Sequence, residues 1–224
     1  MPISLVTNED CMNMMARYPD KFFDLAIVDP PYGDEDADAT KTFTSNSVNK
    51  AAVRKVYKQF KNEIPTEEYF NELKRVSINQ IVWGGNFFGL CGGYICWNKN
   101  GTAFGEAELA YCSTQRSTSI IECTWNGMIQ YNMKNKEDRI HPTQKPLKLY
   151  ELILKGWAST NDKILDTHLG SGSSRIAAHK LGFDFYGCEI DKDYFDAQEK
   201  RFKEAIAQPL FDQKPETFQT KIHF

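Results

Sequence analysis

One stretch near the end of the chain narrows the fold more than any other. Lys163-Ile164-Leu165 is a short apolar strand, Asp166-Thr167-His168-Leu169-Gly170-Ser171-Gly172-Ser173-Ser174 is a glycine turn, and a helix follows through Ile176, Ala177 and Leu181 to a stop at Gly182. Strand, glycine turn and helix in that order let backbone approach a ligand closely and aim helix N–H groups at its negative end. Phe185-Tyr186-Gly187-Cys188 reads as the next strand, with Glu189 at its tip. An acid about twenty residues after the turn's own acid is placed to accept from both ribose hydroxyls in nucleotide-binding α/β domains. A glycine turn alone is weak, but joined to Glu189 it points to a nucleoside-containing cofactor. The turn lacks GxGxxG spacing and no GxxxxGK[ST] occurs, which excludes a P-loop and disfavours a nicotinamide dehydrogenase.

A second feature lies far upstream. The apolar run Leu25-Ala26-Ile27-Val28 reads as a buried parallel strand, and Asp29-Pro30-Pro31-Tyr32-Gly33 follows at once. Two prolines forbid further ladder pairing and stiffen the exit loop, so an acid and an aromatic sit on a rigid strand end. In open α/β sheets that carboxyl edge is where ligands bind. Asp29 supplies an acceptor, the prolines release a backbone carbonyl, and Tyr32 offers a flat face. The set suits a planar base with an amino group on its edge, although the pentapeptide also reads as a plain proline-rich turn.

The rest of the chain supplies elements around these two. Ile3 to Val6 looks like a first strand, and Asp10 after it is either a ligand-facing carboxylate at a strand end or a helix N-cap. Residues 34–50 are polar without periodicity, which suggests a mobile lid beside Asp29. From Ala51 the pattern turns helical, with Arg54, Lys58 and Lys61 on one face, either a solvated face or a phosphate contact. Pro65 and Thr66 open a helix burying Tyr69, Phe70, Leu73 and Val76. Strands follow at Gln80–Trp83, Tyr94–Trp97, Ala110–Cys112 and Ile120–Trp125, the later ones an antiparallel edge. Lys134, Lys136 and Arg139 lie in a polar segment with no assignable fold.

His141-Pro142-Thr143-Gln144-Lys145-Pro146 precedes a helix whose apolar face is Tyr150, Ile153, Leu154 and Trp157. Pro146 sits in the first-turn position, and the helix start with Lys145 is either an anion site or ordinary capping. A last helix from about Asp191 to Ala207 turns Phe195, Phe202 and Ile206 inward. Residues 209–224 form a tail that straps onto the surface or hangs loose.

Composition sets the limits. The 224 residues, 41% hydrophobic and 25% charged, suit one α/β domain, here residues 1–208 with a catalytic half at 1–139 and a cofactor half at 140–208. A net charge of -3 carries no global basic signature, so nucleic-acid contact must come from local patches. The six cysteines hold no CxxC pair and read as reduced core residues, so neither zinc nor disulfides are indicated. The opening residues lack a signal peptide's regions and no run reaches membrane-spanning length, which leads us to expect a cytoplasmic protein.

The two features together resemble the S-adenosyl-L-methionine-dependent amino-methyltransferases of DNA. In that family [DNS]PP[YFW] marks the catalytic loop and a DPF-x-GSG-type turn binds the cofactor. The order here, catalytic loop first, HPTQKP next and glycine turn last, resembles the circularly permuted β group, nearest to the small enzymes of phages and prophages. The resemblance covers roughly Leu5 to Arg201. It implies a seven-stranded, mostly parallel Rossmann-like sheet with one antiparallel edge strand. It further implies that Asp10 contacts the cofactor's adenine, Thr143 and Lys145 border its methionine end, Asp166, Thr167, His168, Gly170, Ser171 and Gly172 hold the methionine moiety, and Glu189 binds the ribose. Where the family carries Pro-Phe, this chain has Thr167-His168. The close spacing of the motifs leaves little space for a target-recognition domain.

The expected chemistry is methyl transfer to an amino group of a base flipped out of duplex DNA, with Asp29 and the Pro30 carbonyl accepting the amino N–H groups, Pro31 stiffening the loop and Tyr32 stacking on the base. Asp at the first motif position leans, by resemblance, towards N6 of adenine over N4 of cytosine. RNA or a protein amide is an alternative substrate, and a nucleic-acid-binding relic without cofactor is the non-enzyme alternative. Phosphates would fall to Arg54, Lys58, Lys61, Lys134 and Arg139, and a homodimer is left open.

Overall fold

The computed structural model describes residues 1–33, 63–101, 105–126, 128–207 and 222–223. The expected lid, the basic stripe of Arg54, Lys58 and Lys61, and most of the tail lie outside these residues. In chain order the elements are β1 (Ser4–Thr7), α1 (Cys11–Met15), β2 (Phe23–Val28), α2 (Glu67–Val76), β3 (Ser77–Trp83), β4 (Gly93–Asn98), β5 (Ala107–Cys112), β6 (Thr118–Glu122), α3 (Leu147–Trp157), β7 (Lys163–Asp166), α4 (Ser173–Leu181), β8 (Asp184–Cys188), α5 (Lys192–Ala207) and β9 (Ile222–His223).

The strands form one sheet in the order β1-β8-β7-β2-β3-β5-β4-β6-β9. β1, β8, β7, β2 and β3 run parallel, β5 runs antiparallel to both β3 and β4, and β4 and β6 are again parallel. β9 closes the edge antiparallel to β6. The fold is the expected mostly parallel α/β sheet, with corrections in detail. Among the described residues the sheet has nine strands, not seven. Its interior reversal is β5 alone; β4 and β6 do not continue an antiparallel edge. The expected antiparallel pairing holds for β4 with β5, but β5 lies between β3 and β4, and β6 pairs parallel to β4.

Alternation along the parallel strands explains the layers. Leu25 and Ile27 of β2, Ile81 and Trp83 of β3, Ile164 of β7 and Phe185 of β8 join a core with α3 and α4 residues such as Tyr150, Ile153, Ala177 and Ala178. Ala26, Val28, Val82, Leu165 and Tyr186 join a second core with Met14 and Met15 of α1 and Tyr69, Phe70, Leu73 and Val76 of α2. Both faces are covered, as continuous apolar strands require. α5 departs from its predicted face: Tyr194, Gln198 and Phe202 are buried, whereas Ile206 is 45% exposed. Its buried stripe is set by Arg175, which stacks on Phe202 and donates to Gln198.

Candidate active site

The carboxyl ends of β1, β8, β7, β2 and β3 all point to one edge, which brings Asp10, Glu189, Asp166, Asp29 and Gly84 side by side although they are spread over most of the sequence. β2 and β7 are immediate neighbours, paired through Leu25–Ile164 and Ala26–Leu165. The DPPY corner and the glycine turn therefore open into the same cleft.

At the end of β2, Asp29 is held from both sides. The Tyr32 hydroxyl donates to its Oδ1 at 2.5 Å and the Lys145 ammonium to its Oδ2 at 2.6 Å. Lys145 is almost fully buried and also lies 3.3 Å from Glu108 Oε2, while Lys99 pairs with the other oxygen of Glu108. Burial works against the Lys145 ammonium, but Asp29 and Glu108 outweigh it and raise its pKa. Desolvation likewise opposes ionised Glu108, and Lys145 and Lys99 overcome it, holding its carboxyl below the usual range. Burial, then the Asp29 charge, push the Tyr32 phenol well above 10, so it stays a neutral donor. Lys145, expected at the cofactor's methionine end, thus sits with the DPPY acid.

The Tyr32 ring rests on Gly84, where a Cβ would come within 2.4 Å of it; Gly84 also has φ +66°. On another side Phe87, 55% exposed, stacks nearly parallel to Tyr32 with centroids 5.3 Å apart. Pro30 is buried and Pro31 half-buried, consistent with a stiff exit.

The glycine turn is built as a cradle. Gly170 and Gly172 take φ of +51° and +71°, and Gly172 caps the start of α4. Glu189 accepts the Gly170 N–H at 2.8 Å through one oxygen and the Asp191 N–H at 2.9 Å through the other. Each oxygen keeps a second lone pair for a hydroxyl. Desolvation raises its pKa. Asp166, buried at the end of β7, accepts from Ser174 Oγ at 2.5 Å and from the His168 N–H at 3.0 Å. Burial nevertheless raises its pKa to about 7.

Thr167 shares a 2.7 Å hydrogen bond with the Tyr69 hydroxyl, and the His168 ring meets Tyr69 edge-on. Burial lowers the His168 pKa to about 4, so at neutral pH this ring is an uncharged aromatic. Ser171 is buried with its hydroxyl 3.1 Å from that of Ser173.

Other predicted residues take more modest places. Asp10 caps α1, accepting from Met12 and Asn13 N–H groups through Oδ1, which fulfils the helix-cap alternative. Thr143 is exposed, with its hydroxyl 3.1 Å from His141 Nδ1. The His141 ring lies in van der Waals reach of a Cβ built at Gly170, so the HPTQKP segment borders the glycine turn. Lys134 is exposed, and Arg139 donates from Nε to the His141 carbonyl at 3.2 Å.

Two functional connections escaped sequence reasoning. Glu108 reaches the site because β5 runs antiparallel to β3: Ala110 pairs with Trp83, so Glu108 falls beyond the carboxyl end of β3. Glu137 caps the start of α3, accepting the Leu147 N–H at 3.0 Å, and pairs at 2.7 Å with Arg201 of α5. Arg201 also donates to the Ser171 carbonyl and to Ser173 Oγ, both at 2.8 Å. One guanidinium thereby ties the glycine turn to the start of α3, just after Lys145. No periodicity marks either residue; both are charges in segments that read as surface.

Residues 98–200 match the profile of the DNA methylase family. Over that stretch the chain is similar to that family. Its match to the Type II methyltransferase M.HinfI of Haemophilus influenzae is 24% identical over 255 residues, spanning 92% of this chain and 70% of that enzyme. The crystal structure of the M1.HpyAVI–SAM complex shares the fold with a TM-score of 0.53 and 19% identity, over 90% of this chain and all of that one. The cytosine-N4-specific PvuII DNA methyltransferase does so with a TM-score of 0.55 and 12% identity, over 90% of each chain. The family match begins at Asn98, and so includes Glu108, Lys145, the glycine turn and Glu189. Asp29 and Tyr32 lie ahead of it and join the site through the sheet.

Proposed function

We propose that this protein is a DNA methylase that transfers a methyl group from S-adenosyl-L-methionine to the N6 amino group of an adenine flipped out of DNA. The observation that carries the reading is the meeting of the Asp29–Tyr32 corner and the Gly170–Gly172 cradle on adjacent strand ends of one sheet. The residues present suit the cofactor. Gly170 and Gly172 let backbone come close, Glu189 offers carboxylate oxygens to ribose hydroxyls, Asp10 lies at the neighbouring strand end for the adenine, and Asp166 to Ser171 line the methionine side. Neutral His168 supplies an aromatic ring where the family carries Phe, without placing a cation beside a sulfonium. The bound cofactor supplies an electrophilic methyl group.

The protein's own work is positioning and proton handling. A base amino nitrogen is a poor nucleophile because its lone pair is delocalised into the ring. Asp29 and the Pro30 carbonyl each accept one amino N–H, favouring the tetrahedral nitrogen that attacks and easing its proton loss. Asp29 can do so while holding Tyr32 and Lys145, because each carboxylate oxygen has two lone pairs. Reacting atoms held about 3–3.5 Å apart account for much of the acceleration. Tyr32, with Phe87 beside it, offers the aromatic surface on which an extruded base stacks. Exposed Lys134 and the Arg139 segment, together with the basic stripe at Arg54, Lys58 and Lys61, are the candidate phosphate contacts.

The test is to methylate plasmid DNA with methyl-tritiated cofactor, digest it and identify the labelled nucleoside. N6-methyladenine is expected. N4-methylcytosine would move the target to the other amino base, and label absent from DNA but present in RNA or protein would overturn the DNA reading.

A further inference from the structure

Resting on that reading, we propose that Glu108 is the solvent-side acceptor of a proton path, Asp29 to Lys145 to Glu108, that clears the proton released by each methyl transfer. Forming the N–CH3 bond breaks the S–CH3 bond, the electron pair stays on sulfur, and the amino nitrogen is left with one proton too many. Asp29, which already accepts an amino N–H, takes it. The carboxyl must then be emptied before the next turnover, and a base held against it covers the little of Asp29 that solvent reaches, 17% of its side chain.

The geometry provides one continuous way out. Lys145 Nζ lies 2.6 Å from Asp29 Oδ2 and 3.3 Å from Glu108 Oε2, with only 5% of its side chain exposed. A third of the Glu108 side chain is exposed, so it can trade a proton with water. Among the described residues, the groups facing Lys145 are Asp29 and Tyr32 from the exit of β2, Glu108 from β5 and the Trp83 ring from β3, with Lys99 behind Glu108 and His141, on the segment before Lys145, within electrostatic reach. In the resting state two carboxylates hold the ammonium in place. Once Asp29 is protonated, one of those charges is gone and a buried ammonium is left with a single counter-charge. It gives a proton to Glu108 and receives the one from Asp29, which restores ionised Asp29 and the ammonium and leaves the proton on Glu108, from which water removes it. Charge and atoms balance at every step, and no further reactant is needed.

The path sits where methyl transfer alone does not require it. Among the described residues Glu108 pairs with Lys145 and Lys99, and Asp29 is held by Lys145 and Tyr32. The antiparallel insertion of β5 is what sets a partly exposed acid on the far side of Lys145.

Two measurements decide it. In the unloaded protein, Asp29→Asn mimics protonated Asp29, and the Lys145 ammonium followed by 15N NMR should titrate about one pH unit or more lower than in the wild type. An unchanged Lys145 titration overturns the path. In a single turnover of the loaded enzyme on DNA, methyl transfer is read by rapid quench and proton release by a pH-indicator dye. In wild type the two should coincide. In Glu108→Gln, proton release should lag about tenfold behind methyl transfer in the same turnover, whatever the transfer rate itself, and Glu108→Asp, which keeps an acceptor, should recover most of the lag. Proton release keeping pace with methyl transfer in Glu108→Gln overturns the proposal. If Glu108→Gln does not fold, Glu108→Asp against the Asp29→Asn titration still decides. Wild-type protein that methylates nothing would instead refute the methyl-transfer reading, which is a separate failure.

Discussion

At the scale of single residues, the proposed methyl transfer assigns the amino nitrogen to one group and the base to another. Asp29 is the acid on the rigid exit of β2, and replacing it removes one preorganised polar group from the reacting atoms. Asp29→Ala is expected to lower turnover about 10²–10³-fold, measured by methyl incorporation at saturating cofactor and DNA. Cofactor affinity by calorimetry should change little, because the glycine cradle is built by β7 and β8. Tyr32 supplies aromatic surface. Tyr32→Ala should weaken binding of a DNA carrying the extruded base by about 1–3 kcal/mol, read by fluorescence titration, and leave cofactor binding intact. Equal loss of both affinities would remove Tyr32 from the base site.

At the scale of elements, the glycine turn, α3 and α5 behave as one assembly. Arg201 on α5 holds the Ser171 carbonyl and Ser173 Oγ and neutralises Glu137, which in turn caps α3. Removing the guanidinium leaves a mostly buried carboxylate without its partner, and such breaks typically cost about 3–5 kcal/mol. Arg201→Met is therefore expected to lower unfolding free energy by several kcal/mol in urea titration. It should also weaken cofactor binding by about tenfold in calorimetry, since the turn loses two charge-assisted hydrogen bonds. A variant with lowered stability but unaltered cofactor affinity would show that the turn is held by its glycines alone.

For the whole molecule, buried titratable groups at the cleft pull stability in opposite directions with pH. Burial lowers the His168 pKa from 6.5 to about 4, so its contribution is present above 6.5 and lost as pH falls towards 4. Burial raises the Asp166 pKa from 3.8 to about 7, so its contribution is present below 3.8 and lost as pH rises towards 7. Relative to His168→Gln, the wild type should lose stability as pH is lowered from 6.5 to 4. Relative to Asp166→Asn, it should lose stability as pH is raised from 4 to 7. Urea midpoints across that range check both signs, and parallel curves for wild type and variant would show that the group titrates alike folded and unfolded.

Much of this architecture is legible in the residues. Apolar runs bounded by proline and glycine mark β2, β7 and β8 and the helices after them, because a strand covered on both faces must be continuously apolar and a turn against a ligand needs glycine. The buried face of α2, namely Tyr69, Phe70, Leu73 and Val76, follows from helical periodicity alone. The pairing of β5 between β3 and β4, the return of β9 to the edge beside β6, and the inward charges Glu108, Glu137 and Arg201 have no such local signature. The same short strand can pair on either side of a neighbour, and a charged residue reads as surface until a partner of opposite sign is packed against it. Local chemistry thus determined which strands, helices and turn this chain forms and which acids stand at strand ends; strand order and long-range charge pairing, which depend on contacts between residues far apart in sequence, were decided only by the tertiary structure.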